Sequence, residues 1–244
     1  MLTRLLDFFF PRTCVICDRR LAIGEQFVCP PCLMSLPLES VATDWQLNRH
    51  VFQWRSEHPV LYRMGALCIY QRENAAAHLV HALKFERNRE QGIWMGRLAA
   101  EKLKDTDLFD GVDAFVPLPL SRARQRHRGF NQAEAIAQGL SQETGIPLRT
   151  DLLVRNVDRE SQTHFQLSDR FLNGRDLFSL AEGAEASGQH LMLVDDVLTT
   201  GATMMSAVSV LENFSDVRIS TFAWAWVNMS IEVWAHARRV AGLG

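Results

Sequence analysis

The chain has no apolar run approaching the roughly 20 residues that a membrane-spanning helix requires, so no span is expected anywhere in its 244 residues. Neither sign of charge dominates. Lysine and arginine total 26 against 28 aspartates and glutamates, a formal net charge of −2. That balance excludes a chain-wide basic surface, so any nucleic-acid patch has to be local. Two nucleotide signatures are missing as well: neither G-x-x-x-x-G-K-[ST] nor G-x-G-x-x-G occurs. No Ser/His/Asp or Cys/His arrangement marks a protein nucleophile. The opening stretch MLTRLLDFFFPRTC is broken by Asp7 and has no small-residue cleavage site. It reads as a short packed helix rather than a signal peptide, and a cytoplasmic location is expected.

What is present begins with cysteine. Of five cysteines, four form two C-x-x-C pairs, CVIC at Cys14 and Cys17 and CPPC at Cys29 and Cys32. Each short turn aims two sulfurs at one point. Two such turns about a dozen residues apart suit a closed tetrahedral zinc site, structural because every ligand is protein. Two disulfides or a redox dithiol are the competing readings. Gly24 between the pairs suits a hairpin turn, and Cys68, in an apolar strand, reads as a small buried hydrophobe.

Apolar periodicity divides the rest. Residues 1–36 form the four-cysteine module. Residues 37–63 show no clear period and read as a linker or a loosely packed excursion. From residue 64 to 244 strand and helix patterns alternate. The strands are MGALCIY, VDAFVPLPL, HLMLVDDV and VRISTFAWAWV. The helices are ENAAAHLVHALKF, GIWMGRLAAEKLK, NQAEAIAQGLSQETG and ATMMSAVSVLENF. Such alternation predicts an α/β fold with a parallel sheet between helices. The tail from 228 to 244 reads as a short amphipathic helix or a frayed end.

The densest chemistry lies in LMLVDDVLTTGATM, residues 191–204. A buried strand ends in two carboxylates, Asp195 and Asp196, and ligands of open α/β sheets bind beyond strand carboxyl ends. Gly201 lets backbone approach a ligand closely, and turn amides with the next helix N-terminus make an anion cradle. The hydroxyls of Thr199, Thr200 and Thr203 add donors. The turn therefore suits a phosphate, and the acids suit a vicinal diol. A ribose 5-phosphate carries both. Both acids are expected at a solvated strand end, where screening makes their repulsion tolerable. A polar turn with a capped helix and no ligand is the plainer alternative.

LVDDVLTTGAT resembles the ribose-phosphate motif of type I phosphoribosyltransferases. FVPLPLSRARQRHRGFNQAEAIA, LVRNVDRESQTHFQLSDRFLNGRDLF, HALKFERNRE and the four-cysteine module resemble, in the same order, the ComF family of competence and DNA-uptake proteins, which includes the GntX-like proteins. The resemblance implies a type I phosphoribosyltransferase-like parallel sheet flanked by helices, with a small zinc-ribbon-like module. It implies phosphoribosyl pyrophosphate as ligand, with Mg²⁺. Asp195 and Asp196 would hold the ribose hydroxyls and act at the catalytic centre. Thr199, Thr200, Gly201, Ala202 and Thr203 would cradle the 5-phosphate. Where the family often has T-x-x-Q-x-x-L, this chain has Arg159, Gln162 and Phe165, so no role is carried onto residues 158–166.

Two basic elements remain. SRARQRHRGFNQ places Arg122, Arg124, Arg126 and Arg128 at alternate positions without an acid. An extended segment would put all four on one side, and Pro117 and Pro119 favour such a start. Forked guanidinium groups suit pyrophosphate, with Arg126 and Arg128 the nearest candidates, and equally suit nucleic-acid phosphates. Lys84, at a helix end, is the third pyrophosphate candidate. Three readings follow: a phosphoribosyltransferase of unknown acceptor, a competence factor binding single-stranded DNA or an uptake helicase, and a non-catalytic sensor of phosphoribosyl pyrophosphate.

Overall fold

A computed structural model of the chain describes residues 11–38, 49–156 and 177–227. The expected N-terminal helix, the segment holding Arg159, Gln162 and Phe165, and the tail lie outside the described residues. Four strands form an all-parallel sheet: β1 (Leu61–Tyr70), β2 (Ala114–Pro117), β5 (His190–Leu198) and β6 (Arg218–Val227), in the order β1-β6-β5-β2. Two short antiparallel strands, β3 (Leu153–Arg155) and β4 (Phe178–Leu180), form a separate ribbon. Seven helices are described: α1 (Pro30–Met34), α2 (Arg49–Glu57), α3 (Ala75–Phe85), α4 (Arg89–Leu103), α5 (Arg122–Arg128), α6 (Gln132–Thr144) and α7 (Ala202–Leu211). None is long and apolar enough to cross a membrane.

The strands are apolar on both faces because helices cover both. Met192 and Val194 of β5 join a cluster with Leu79 and Leu83 of α3, Leu98 of α4, and Ile136 and Leu140 of α6. Leu191 and Leu193 point the other way, into a cluster with Met204, Val208 and Leu211 of α7 and Trp54 of α2. Helix α6 follows β2 on one face, and α7 follows β5 on the other. Since β2 and β5 are neighbours, the connections from their carboxyl ends leave for opposite faces, the topological switch point at which ligands of open α/β sheets bind.

Two expectations along the chain are corrected. Residues 37–63 are not without regular structure, for α2 occupies 49–57 and β1 starts at Leu61 rather than Met64. Arg63 disguised the strand's beginning, and its guanidinium is accommodated by Asp107 at 3.2 Å and by the Asp110 carbonyl. The arginine run is not extended. Ser121 caps a helix by accepting from the Arg124 N–H, and Gly129, at φ 85°, ends it in the left-handed conformation that glycine adopts without strain. A helix disperses the four arginines around its axis.

The N-terminal module packs on the sheet layer. Cys14, Leu21, Val28, Cys29 and Leu36 share one buried cluster with Leu67, Phe222 and Trp224. The Phe27 and Trp94 rings meet at 5.7 Å, and the Ile69 N–H of β1 donates to the Pro37 carbonyl.

Helices α4 and α6 cross with backbones in contact. A Cβ at Gly96 would strike the Ile136 carbonyl, and one at Gly139 would strike the Ile93 carbonyl. Gly96→Ala is therefore expected to destabilise the protein by about 1–3 kcal/mol or more, the cost of overpacking, although alanine is the better helix former. Urea unfolding measures this; an unchanged midpoint would contradict the close crossing.

Candidate functional site

Strand alternation determines what the two acids meet. Asp195 continues the Leu191/Leu193 face and Asp196 the Met192/Val194 face, toward α3 and α6. Lys84, in the last turn of α3, reaches across with Nζ 3.0 Å from Asp196 Oδ2. The contact is ionic without hydrogen-bond alignment, so Oδ2 keeps unfilled acceptor capacity while buried. The Asp196 N–H donates to Asp195 Oδ1 at 2.8 Å, which holds the two carboxyl groups in one geometry.

The expected solvated, screened position is corrected here. Asp196 is only 9% exposed, and Asp195 is half-buried. Burial, and then the Asp196 carboxylate, push the Asp195 carboxyl up to about 8; the Asp196 N–H and the Lys84 ammonium pull it back. Repulsion between the acids is thus relieved by a proton on Asp195 near neutral pH and by Lys84 on Asp196, rather than by solvent.

Arg128, the last residue of α5, is within electrostatic reach of both acids. Burial lowers its pKa, and Arg124 adds to this, while Asp196 and Asp195 are near enough to oppose it. Its Nη1 donates to Gln132 Oε1 at 2.9 Å. Of the three pyrophosphate candidates, Lys84 contacts Asp196, and Arg128 feels the charge of both acids. Arg126 is exposed, two positions away on a helix and so turned from Arg128. Arg87 is a residue sequence reasoning missed. It sits at φ 54° just after α3, and its Nη2 donates to the His127 carbonyl at 3.0 Å, tying the Lys84 loop to the arginine helix. A cavity of about 120 Å³ lies nearby at the end of β2, lined by Pro117, Pro119, Gln125, Asn131, Glu134 and Arg149 among others; residues 195–203 do not line it.

The turn after β5 is built as a helix entry. Gly201, at φ 75°, is the N-cap of α7, and glycine alone takes this conformation freely. Thr199 is exposed, and Thr200, Ala202 and Thr203 are half-buried. Thr200 Oγ1 accepts from the Ala202 N–H at 3.4 Å. The first-turn amides of α7 have no partners within the helix, which makes them anion donors.

The four module cysteines gather at one point. Sγ atoms of Cys14, Cys17, Cys29 and Cys32 all lie within 4.8 Å of one another, with Cys17 and Cys29 at 3.7 Å. Sulfurs around a tetrahedral ion with 2.3 Å bonds are about 3.8 Å apart, so the four are positioned to hold a metal ion. The Cys29 N–H donates to Cys14 Sγ at 3.4 Å, and Gly24, at φ 91°, makes the turn between the pairs. The Cys32 N–H, the largest influence lowering the Cys29 thiol, brings it to about 6. Cys68 stands apart, buried, its thiol pushed up to about 12.

The chain as a whole has relatives among known proteins. Competence protein F of Haemophilus influenzae is 27% identical over 230 residues, 89% of this chain and 98% of that protein. The chain resembles the ComF proteins. DNA utilization protein YhgH of Escherichia coli is 25% identical over 210 residues, 82% of this chain and 91% of that one. No protein-family model matches the chain. Among solved structures, adenine phosphoribosyltransferase of Trypanosoma brucei aligns over 73% of this chain and 75% of that one, at 9% identity and a TM-score of 0.39. The parallel sheet described above is established by its own strand order and register.

Lys84→Met removes the cation that favours ionised acids, so the titration assigned to Asp195 is expected to move above about 8. A carboxyl ¹³C titration by NMR reads the shift; an unmoved curve would show that Lys84 does not sit against the pair.

Proposed function

We propose that the switch point binds phosphoribosyl pyrophosphate, with the ribose hydroxyls on Asp195 and Asp196 and the 5-phosphate on the turn from Thr199 to Thr203. The carrying observation is the contact of Lys84 with Asp196 beside that turn, with Arg128 within electrostatic reach of both acids. Acids alone would repel a polyphosphate. Acids flanked by two cations, next to a helix entry, match a ligand that is a diol at its centre and an anion at both ends. Lys84 and Arg128 are then the pyrophosphate contacts, and Arg126 a candidate only if the ligand reaches the exposed side of α5. Lys84, 3.0 Å from Asp196 Oδ2, then bridges the ligand's pyrophosphate and that carboxyl group.

Mg²⁺ would accompany the pyrophosphate, and the chemistry it supplies is neutralisation of charge on the leaving oxygens. Carboxylate oxygens are the donors such an ion prefers, and Asp195 and Asp196 are the residues that would hold it. If turnover occurs, a nitrogen nucleophile displaces pyrophosphate at ribose C1, and negative charge on the acid pair favours the positive charge developing on the ring. The same ligand held without turnover makes the protein a sensor. The names of its relatives, competence and DNA utilization proteins, support a role for the site in DNA uptake. The cysteine site we assign to structural zinc, since four thiolates and no open position suit that ion.

Calorimetric titration with phosphoribosyl pyrophosphate and Mg²⁺ tests the reading. Asp195→Asn with Asp196→Asn keeps the shape of this partly buried pair and is expected to weaken binding by on the order of tenfold or more, the loss of one hydrogen bond to a charged group costing about 1.5–3 kcal/mol. Wild-type protein that takes up no ligand defeats the proposal. Elemental analysis is expected to find about one zinc per chain, reduced by Cys29→Ser; metal-free wild type would rule out the zinc assignment.

A further inference from the structure

Gly201 is covered. A Cβ built there would lie inside the six-membered ring edge of Trp54, which sits on α2, nearly 150 residues earlier in the chain. Trp54 is 9% exposed and belongs to the buried cluster that includes Leu198, Met204 and Met205, the apolar residues on either side of the turn. Helix α2 is held a second time at the far end of α7. His58, which follows α2, has Nδ1 3.0 Å from Glu212 Oε2, and Glu212 is the C-cap of α7. The helix that follows the proposed phosphate turn is thus braced at both ends by one element. The turn itself has little else to stiffen it. Among the described residues, its side chains contribute one long hydrogen bond, from the Ala202 N–H to Thr200 Oγ1.

We infer that Trp54 is a positioning residue for the turn from Thr199 to Thr203. The indole, seated on the one residue of the turn without a side chain, fixes the left-handed backbone at Gly201 and so the direction of the amides that follow it. The inference rests on the phosphate reading of that turn. Its physical content is preorganisation: amides already aimed at the anion bind without first giving up conformational freedom. Two demands then fall on position 201. Left-handed φ excludes most side chains, and the indole excludes any Cβ. Trp54 touches the turn rather than the reacting atoms, so its effect belongs to affinity and to local backbone order.

Hydrogen exchange and calorimetry on the full chain test this with Trp54→Ala and Trp54→Phe. In Trp54→Ala, amides of residues 199–204 are expected to exchange faster while those of β5 and β6 keep their protection. Affinity for phosphoribosyl pyrophosphate with Mg²⁺ is expected to fall roughly tenfold, a loss on the scale set by a loosened site. Trp54→Phe, which keeps a ring over Gly201, is expected to restore most of both. Unchanged exchange at 199–204 overturns the inference. So does a uniform loss of protection across the sheet in both variants, which marks Trp54 as a general core residue. So does unchanged affinity in a protein whose wild type binds. If wild type does not bind the ligand, the function proposed above fails, and the exchange pattern still decides whether Trp54 holds the turn.

Discussion

Two consecutive carboxylates at the end of a buried parallel strand are the constraint around which the rest of this molecule is arranged. Strand alternation sends them to opposite faces of the sheet, and burial makes two simultaneous charges costly. The structure answers each separately. Asp196 meets the Lys84 ammonium from α3. Asp195, raised by burial and by its neighbour, keeps its proton near neutral pH. Both answers require α3 to end where it does and β5 to lie between β2 and β6, so the order of the sheet and the chemistry of the site are one problem.

The glycines show how closely the layers are set to meet that need. Gly96 and Gly139 let α4 and α6 cross with backbone against backbone, which brings α6, and the arginine helix that leads into it, down onto the sheet. Arg128 consequently lies within the field of both acids. On the opposite face Gly201 admits the Trp54 ring, so α2 becomes part of the site's wall. The cations and the turn approach the acids from different layers, and a ligand with opposite demands at its two ends is what such an arrangement accommodates.

The N-terminal module contributes differently. Its four sulfurs form a closed set, with no position left for a reacting molecule, and its apolar residues share the cluster that covers one sheet face. It acts as a stapled extension of the core. A segment this short has too little surface to bury for a stable core of its own, which is the physical reason for packing it on the sheet and gathering four sulfurs where a metal ion would fit.

Much of this was legible in the residues alone. The sheet strands, the long helices and the cysteine cluster follow from periodicity and spacing, because apolar alternation and C-x-x-C turns are local properties. The acid pair and its Thr-Gly turn were legible for the same reason. The arginine run was misread as extended, because alternate spacing carries no information about which conformation the backbone takes; the Ser121 and Gly129 caps decided it. Only the tertiary structure could bring Lys84 to Asp196, Arg87 to His127 and Trp54 to Gly201. Those contacts span about 40 to 150 positions, and no local pattern encodes them, since they result from how whole helices pack once the sheet has formed. Sequence by itself determined which groups were available and which turns would hold them. Folding decided which charges share a site, and with that the pKa, burial and partner of each.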